Sequence, residues 1–244
     1  MEILLDTTVQ IDRIFIRGRK EKIEKIIAEN KCGSSTYVLG EYKNNIIKDC
    51  IALYDIILME ESVSGVRKRV NETVSNRSYK RMYYIYDDLC DSYGEDYDLI
   101  KEEMRTYAKR LERRFTYGIE KELLNETECR RAKAKIHMDG KRVELREISC
   151  RKTDDFCRSC EFWRNNCEKV NGLEKADSIG AKMKQALREL NCENGVLKGN
   201  LCKSMGDCII SLEALATEGK SVCTTNVKDF KPICDYIGVN IKEI

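Results

Sequence analysis

The chain has 244 residues, enough for one large domain or two small ones, and 35% of them are charged. Lys and Arg (44) exceed Asp and Glu (42) by only two, so net charge selects no class of partner. No apolar run approaches the roughly 18 residues that a membrane helix needs.

The opening MEILLDTTVQ has neither a basic stretch nor a long apolar one, so it reads as a buried strand rather than a signal peptide. Within it, EILLD is a short apolar run ending in Asp6, the pattern of a parallel strand. EKIEKIIAENKCG carries Ile23, Ile26 and Ile27 at helical spacing and predicts a helix that stops at Gly33. SSTYVLGEYKNNIIKDCIALYDII opens on a Ser/Thr cluster suited to capping a helix that carries Val38, Glu41 and Tyr42. Residues 66–134 are highly charged and almost free of turn signals, which predicts two or more long helices broken near DSYGEDYD. In IHMDGKRVELREI an Asp-Gly pair between alternating stretches predicts a hairpin. EKADSIGAKMKQALRELNCENG predicts a helix ending at Gly195, and GDCIISLEALATEG another stopped by Gly219. KSVCTTN reads as a strand, VKDFKPICDYIG as a loop and short helix, and VNIKEI as a last strand. Strands alternating with helices near both ends define an α/β fold with a parallel sheet.

Acidic and amide residues stand at the edges of these α/β elements. Asp6 ends the first strand, Glu41 lies in the first turns of a helix, Asp207 opens another, and Asn226 and Asp229 follow SVCTT. Open α/β sheets place their sites at the carboxyl ends of strands. Carboxylates converging there would offer Mg²⁺ or Mn²⁺ hard oxygen ligands, and the ion would activate water against a phosphodiester. Each residue alone reads equally as a helix cap or a solvated charge.

LLDTTVQID, SSTYVLGEY, GDCIISLEALA and VCTTNVKDF resemble, in order, the four motifs of the PIN-domain nucleases. The resemblance covers roughly residues 1–60 and 200–244 and implies a PIN-like parallel sheet flanked by helices, cleaving RNA with a divalent metal. It implies that Asp6, Glu41 and Asp207 bind the metal. The fourth acidic position maps onto Asn226 or Asp229: Asp229 would be a ligand or water-positioner and Asn226 a site-lining amide, with Thr224 and Thr225 lining the site. The family's short link between the second and third acids is here a mainly helical insertion over 61–199.

That insertion carries CRKTDDFCRSCEFWRNNC, in which Cys150, Cys157, Cys160 and Cys167 form a C-x6-C-x2-C-x6-C pattern. Four thiols within 150–167 signal a metal. Zinc accepts four thiolates tetrahedrally, and a [4Fe–4S] cluster also takes four. The single C-x2-C flanked by longer loops resembles the cluster loop of helix-hairpin-helix DNA glycosylases, which implies iron–sulfur ahead of zinc. The 13 cysteines of the chain, an odd number, otherwise read as reduced thiols of a cytoplasmic protein. Cys208 and Cys223 read as core, and Cys192 and Cys202 as ordinary packing rather than extra ligands.

Arg151, Lys152, Arg158 and Arg164 surround Phe162 and Trp163 in the same loop. Basic groups neutralise phosphates and aromatics stack on unpaired bases; alternatively the aromatics cover the metal site and the arginines are solvated. Arg105, Lys109 and Arg113 repeat every four residues, a stripe that could track an RNA backbone, although the interleaved Glu102, Glu103 and Glu112 favour a solvated face. The tyrosines of YKRMYYIYDDL read as helix-packing residues. The one histidine, His137, argues against histidine-based acid–base chemistry, and the lack of a glycine-rich phosphate loop against a nucleotide-hydrolysing or dinucleotide enzyme. The sequence therefore predicts an Mg²⁺- or Mn²⁺-dependent nuclease acting on RNA rather than DNA, without a membrane partner. The alternatives are an inactive PIN-like module that binds nucleic acid or protein, and a redox sensor using the cluster.

Overall fold

The computed structural model describes residues 1–73, 76–94, 96–147, 159–190, 192–195, 197 and 201–244, with the backbone alone at 73, 76, 77, 159, 160 and 201. In chain order, β1 (Ile3–Leu5) leads to α1 (Thr7–Phe15), α2 (Arg17–Glu29), β2 (Cys32–Gly33), α3 (Thr36–Tyr42) and α4 (Lys48–Met59). The helices α5 (Val63–Thr73), α6 (Asn76–Tyr93) and α7 (Tyr97–Thr116) follow, then a hairpin of β3 (Lys135–Asp139) and β4 (Arg142–Arg146). After α8 (Ser159–Asn166), α9 (Ala181–Glu189) and α10 (Leu201–Ser204), the chain closes with α11 (Gly206–Ala214), β5 (Ser221–Thr224), α12 (Val227–Ile237) and β6 (Asn240–Glu243).

Two ends of the chain build the main sheet. β1 pairs in parallel with β2 on one side and β5 on the other, and β5 pairs in parallel with β6, giving the order β2-β1-β5-β6. Side chains alternate across a strand. Leu4 therefore joins the large core, while Ile3 and Leu5 join a second cluster with Val9, Ile23, Ile27 and Cys223. A strand covered on both faces has to be apolar throughout, which is why EILLD shows no alternation. The large core runs without interruption from Leu4 and Val222 through Val38 and Ile209 to Tyr86, Leu111 and Trp163.

The free edge of β2 is covered by the segment after α7. Glu120 N donates to Cys32 O, Leu124 N to Ser34 O, and Thr36 N to Leu124 O. Such cover keeps an edge from pairing with another chain. Arg13 anchors the same region, because its Nη2 donates to the carbonyls of Arg114 and Tyr117 at the end of α7. A cation there satisfies carbonyls that the helix leaves unpaired.

The coarse α/β class with a parallel sheet is as the sequence predicts, and the Asp-Gly hairpin forms with Gly140 at φ 53°. Several elements differ, among them the helix expected to stop at Gly219, which ends at Ala214. Gly33 does not stop a helix: α2 ends at Glu29, and Cys32–Gly33 is a strand fixed by its register with Ile3 and Leu4. The helix predicted to end at Gly195 is confined to Ala181–Glu189. α12 is longer than a loop and short helix despite Pro232 inside it; the hydrogen bond that Pro forgoes is to the carbonyl of Lys228, on an exposed turn. Gly238, at φ 76°, ends α12 by letting its own N–H and that of Val239 reach Cys234 O.

Candidate metal centre

The chain leaves β1 toward β2 on one side, and β5 continues toward β6 on the other. The carboxyl ends of β1 and β5 therefore flank a point where the strand order reverses, the crevice in which open α/β sheets place ligands. Asp6 follows β1 directly and Thr224 ends β5. Thr224 Oγ1 donates to Asp6 Oδ2 at 2.7 Å, and Thr8 Oγ1 donates to Asp6 Oδ1 at 2.8 Å. Asp6 is also the N-cap of α1, its Oδ1 accepting from Val9 N at 2.9 Å. Only 1% of Asp6 is exposed. Burial pushes its pKa up to about 6; the hydrogen bonds from Val9, Thr224 and Thr8 oppose that rise, and the charge of Glu41 adds to it.

α3 brings in Glu41, whose Oε2 accepts from Thr7 Oγ1 at 2.8 Å. The helix continues past Glu41 through a π-helical turn at Lys43–Ile47 before α4, a form of bulge that occurs often at functional sites. Lys43, buried there, donates from Nζ to the carbonyls of Ala132 and Ala134 at 2.8 Å and pairs with Glu112 at 2.7 Å.

α11 supplies Asp207 in its first turn. Its pKa is pushed up to about 7, first by burial and then by Glu41, Asp6 and Asp229. Hydrogen bonds and close approaches link their surroundings: Thr7, the residue after Asp6, donates to Glu41, and Gly206, next to Asp207, lies against Glu41. Gly206 permits the approach: a Cβ at that position would sit 3.0 Å from Glu41 Oε1 and 3.3 Å from Tyr37 Oη. From the first turn of α12, Asp229 accepts at Oδ2 from Asn226 Nδ2 at 2.9 Å, and Asn226 N donates to Thr224 Oγ1 at 2.9 Å. Thr225 Oγ1 donates to Thr8 Oγ1 at 2.9 Å. Asp207 and Asp229 open onto a cleft of about 550 Å³ that Ser204 and Ser178–Met183, at the start of α9, also line.

The donor set suits a hard divalent cation. Two carboxyls are held near neutral pH by burial and mutual repulsion, which a bound cation would relieve. Among the described residues no three or more His, Cys, Asp or Glu side chains are grouped so as to hold a metal ion. Mg²⁺ typically uses one or two carboxylates and keeps several waters, so an open acidic crevice matches it better than a structural site would.

The structure thus gathers Asp6, Glu41, Asp207, Asp229 and Asn226 at one end of the sheet. Sequence reasoning passed over Thr7, Thr8, Tyr37, Gly206 and Arg131. The threonines directly follow the strand-ending acid, a placement that could have marked them; Arg131 lies 90 positions from Glu41 and carried no signal.

The chain matches no protein-family model, and comparison with curated proteins and with solved structures finds no significant relative.

The cysteine segment is described in part. Cys150 and Cys157 lie outside the described residues, as do Arg151, Lys152 and Arg158, and of Cys160 the backbone alone is described. Cys167 is buried and forms a disulfide with Cys192, their Cα atoms 5.7 Å apart. Cys192, expected in ordinary packing, thus joins the neighbourhood of the four-cysteine segment, and its partner Cys167 is the residue expected to be a metal ligand. Cys208 and Cys223 are buried free thiols in the core.

Phe162 and Trp163 are 3% and 1% exposed and pack edge-to-face in the core with centroids 5.3 Å apart, so neither ring is available to stack on a base. Arg164 on α8 and Arg105, Lys109 and Arg113 on α7 are exposed, whereas Arg110 pairs with Glu103 at 2.6 Å. Among the tyrosines of α6, Tyr86 is buried as expected and Tyr83 and Tyr84 are exposed. Among the described residues no helix is long and apolar enough to cross a membrane.

Proposed function

We propose that the chain is a divalent-metal-dependent nuclease of the PIN type that hydrolyses phosphodiester bonds in RNA. The observation that carries this reading is the placement of Asp6, Glu41, Asp207 and Asp229 around the reversal point of a parallel sheet, with Asp207 and Asp229 lining an open cleft. Two of Asp6, Glu41 and Asp207 would hold Mg²⁺ or Mn²⁺ directly and the third through water, and the ion would supply an activated water and neutralise charge on the phosphate. The protein's own part is positional. Thr8 and Thr224 fix both oxygens of Asp6, and Thr7 fixes one oxygen of Glu41, leaving the other turned toward Gly206. The amide of Asn226 orients Asp229 at the lip of the cleft, where its carboxylate can accept a proton from an attacking water.

The exposed cations Lys109, Arg113 and Arg164 offer phosphate contacts at the surface of the helical segment. In the same reading Arg151, Lys152 and Arg158 extend that surface, and Cys150, Cys157, Cys160 and Cys167 hold a [4Fe–4S] cluster, or zinc, that stiffens it. A thiol in a disulfide is not a metal ligand, so for Cys167 the bond to Cys192 and metal ligation are alternative states.

Cleavage of a labelled single-stranded RNA by protein purified without oxygen tests the reading. Wild type should cleave with Mn²⁺ and stop with chelator, and Asp6→Asn should be slower by about 100-fold or more. An Asp6→Asn protein that cleaves as fast as wild type would remove the mechanism. RNA binding with no metal-dependent cleavage would assign the chain to inactive binding modules.

A further inference from the structure

Tyr37 lies one helical turn before Glu41 on α3, so the two share a face. The ring is 2% exposed, and among the described residues its hydroxyl makes no hydrogen bond of good geometry, the guanidinium of Arg131 being the polar group near enough to interact with it. A buried hydroxyl held by no well-formed hydrogen bond is costly, so a second acceptor within reach would stabilise it. This hydroxyl borders the same gap as Glu41 Oε1, the two lying 3.3 and 3.0 Å from the point where a Cβ of Gly206 would stand. Glu41 Oε2 is already occupied by Thr7, so Oε1 is the oxygen left to accept.

Arg131 completes the arrangement. It belongs to a short 3-10 turn, Arg130–Lys133, that packs against α3. Its guanidinium stands over the Tyr37 ring, 4.7 Å from the centroid, and its Nε donates to Cys129 Sγ at 3.4 Å. The backbone reaches this position because residue 40 is glycine: a Cβ there would be 2.9 Å from Arg131 Cβ and 3.2 Å from Ala132 N. The guanidinium charge acts on both Tyr37 and Glu41.

We propose that Tyr37 and Arg131 are a positioning pair for Glu41, in which the Tyr37 hydroxyl donates to Oε1 when a divalent cation draws that oxygen inward. Arg131 holds the ring from its face and balances the negative charge gathered beside it. The inference rests on the divalent-metal reading above and extends it to residues outside the acidic set. Arginine suits the position because its planar guanidinium can cover a ring face and still donate hydrogen bonds from its edge, which a lysine ammonium does less well. The pair also makes the stretch around Arg131, far away in sequence, part of the site.

The test is Mn²⁺ alone, titrated by calorimetry and by the loss of the free-ion paramagnetic resonance signal, on the full chain without nucleic acid. Asp207→Asn should abolish binding. Tyr37→Phe should weaken Mn²⁺ binding about 3- to 10-fold, the range expected for one lost hydrogen bond, with a melting temperature equal to or above that of wild type. A merely structural ring predicts no change in Mn²⁺ affinity from that substitution. Arg131→Lys, which keeps the charge but not the stack, should weaken binding in the same direction by a smaller factor. If Asp207→Asn abolishes binding and Tyr37→Phe binds like wild type, the pair is wrong and the metal site stands. If wild type binds no Mn²⁺, the metal reading fails and this inference fails with it.

Discussion

Asp6 satisfies two demands with one carboxylate. It caps α1 and it belongs to the acidic crevice, so the cap and the ligand readings of a strand-ending Asp describe the same atoms. The elevated values of Asp6 and Asp207 set a pH dependence. In the unfolded chain both groups titrate near 3.9, against about 6 and about 7 in the fold. Between those limits the native state binds more protons than the unfolded state, so metal-free protein should lose stability as pH rises from about 4 to 7. Thermal melts in chelator should show this decline, and it should be shallower in Asp207→Asn. Added Mn²⁺ should raise the melting temperature more at pH 8 than at pH 5, because the ligands must be deprotonated. A decline equally steep in wild type and Asp207→Asn would show that Asp207 is not the elevated group. At this scale Asp6, Asp207 and Asp229 were legible, because each follows a strand or lies in the first turn of a helix and those edges show in the apolar pattern; Glu41, near the end of α3, was marked only by its motif. Tyr37 and Arg131 were not, since an aromatic on a helix and an arginine in a charged stretch look like any other core or surface residue.

Among the elements, α3 and α11 are locked together by a buried carboxyl that takes no part in the crevice. Glu213 on α11 is fully buried and accepts from Ser35, the N-cap of α3, and from Thr127 Oγ1 at 3.3 Å. Burial pushes its pKa up to about 8, partly offset by those two hydroxyls. Glu213→Gln keeps the shape and one acceptor oxygen, so it should fold with stability within about 1 kcal/mol of wild type at pH 7. Glu213→Ala leaves Ser35 and Thr127 without an acceptor and opens a cavity, which should cost about 2–4 kcal/mol in denaturant unfolding. Because the folded value is the higher one, wild-type stability should decline as pH rises toward 8 at this site, and the decline should be absent from Glu213→Gln. A glutamine variant that tracks wild type from pH 6 to 9 would exclude Glu213 as the cause. The sequence showed α11 as a helix but not this bond, because Ser35 and Glu213 are 178 positions apart. It also misread Gly33, where pairing with β1 outweighed the usual meaning of a glycine after a helical pattern.

For the whole molecule, both ends of the chain supply the sheet and the acids, and the residues between them share one core with it. That the ends belong together was legible from the order of short strands and acids. How the middle packs was not, because Arg13 meets the end of α7 and Glu120 meets Cys32 through backbone carbonyls that any sequence presents. The pairing of Cys167 with Cys192 was likewise hidden by a 25-residue separation that folds back on itself. Alkylation with mass spectrometry should separate its two states. Protein purified without oxygen should contain iron and sulfide, or zinc, and Cys167 should be alkylated only after the metal is removed. Protein exposed to air should yield a cross-linked Cys167–Cys192 peptide and less metal. Full metal content together with that cross-link would exclude Cys167 as a ligand.

The central claim is that the acids at the reversal point of the sheet hold a divalent cation. Crystals grown without oxygen and soaked in Mn²⁺ test it most directly, through the anomalous scattering of manganese. The account predicts a peak at about 2.0–2.5 Å from carboxylate oxygens of at least two of Asp6, Glu41 and Asp207, and no peak there in Asp207→Asn crystals. A strong manganese peak elsewhere with none in the crevice, or none anywhere at saturating Mn²⁺, would contradict it.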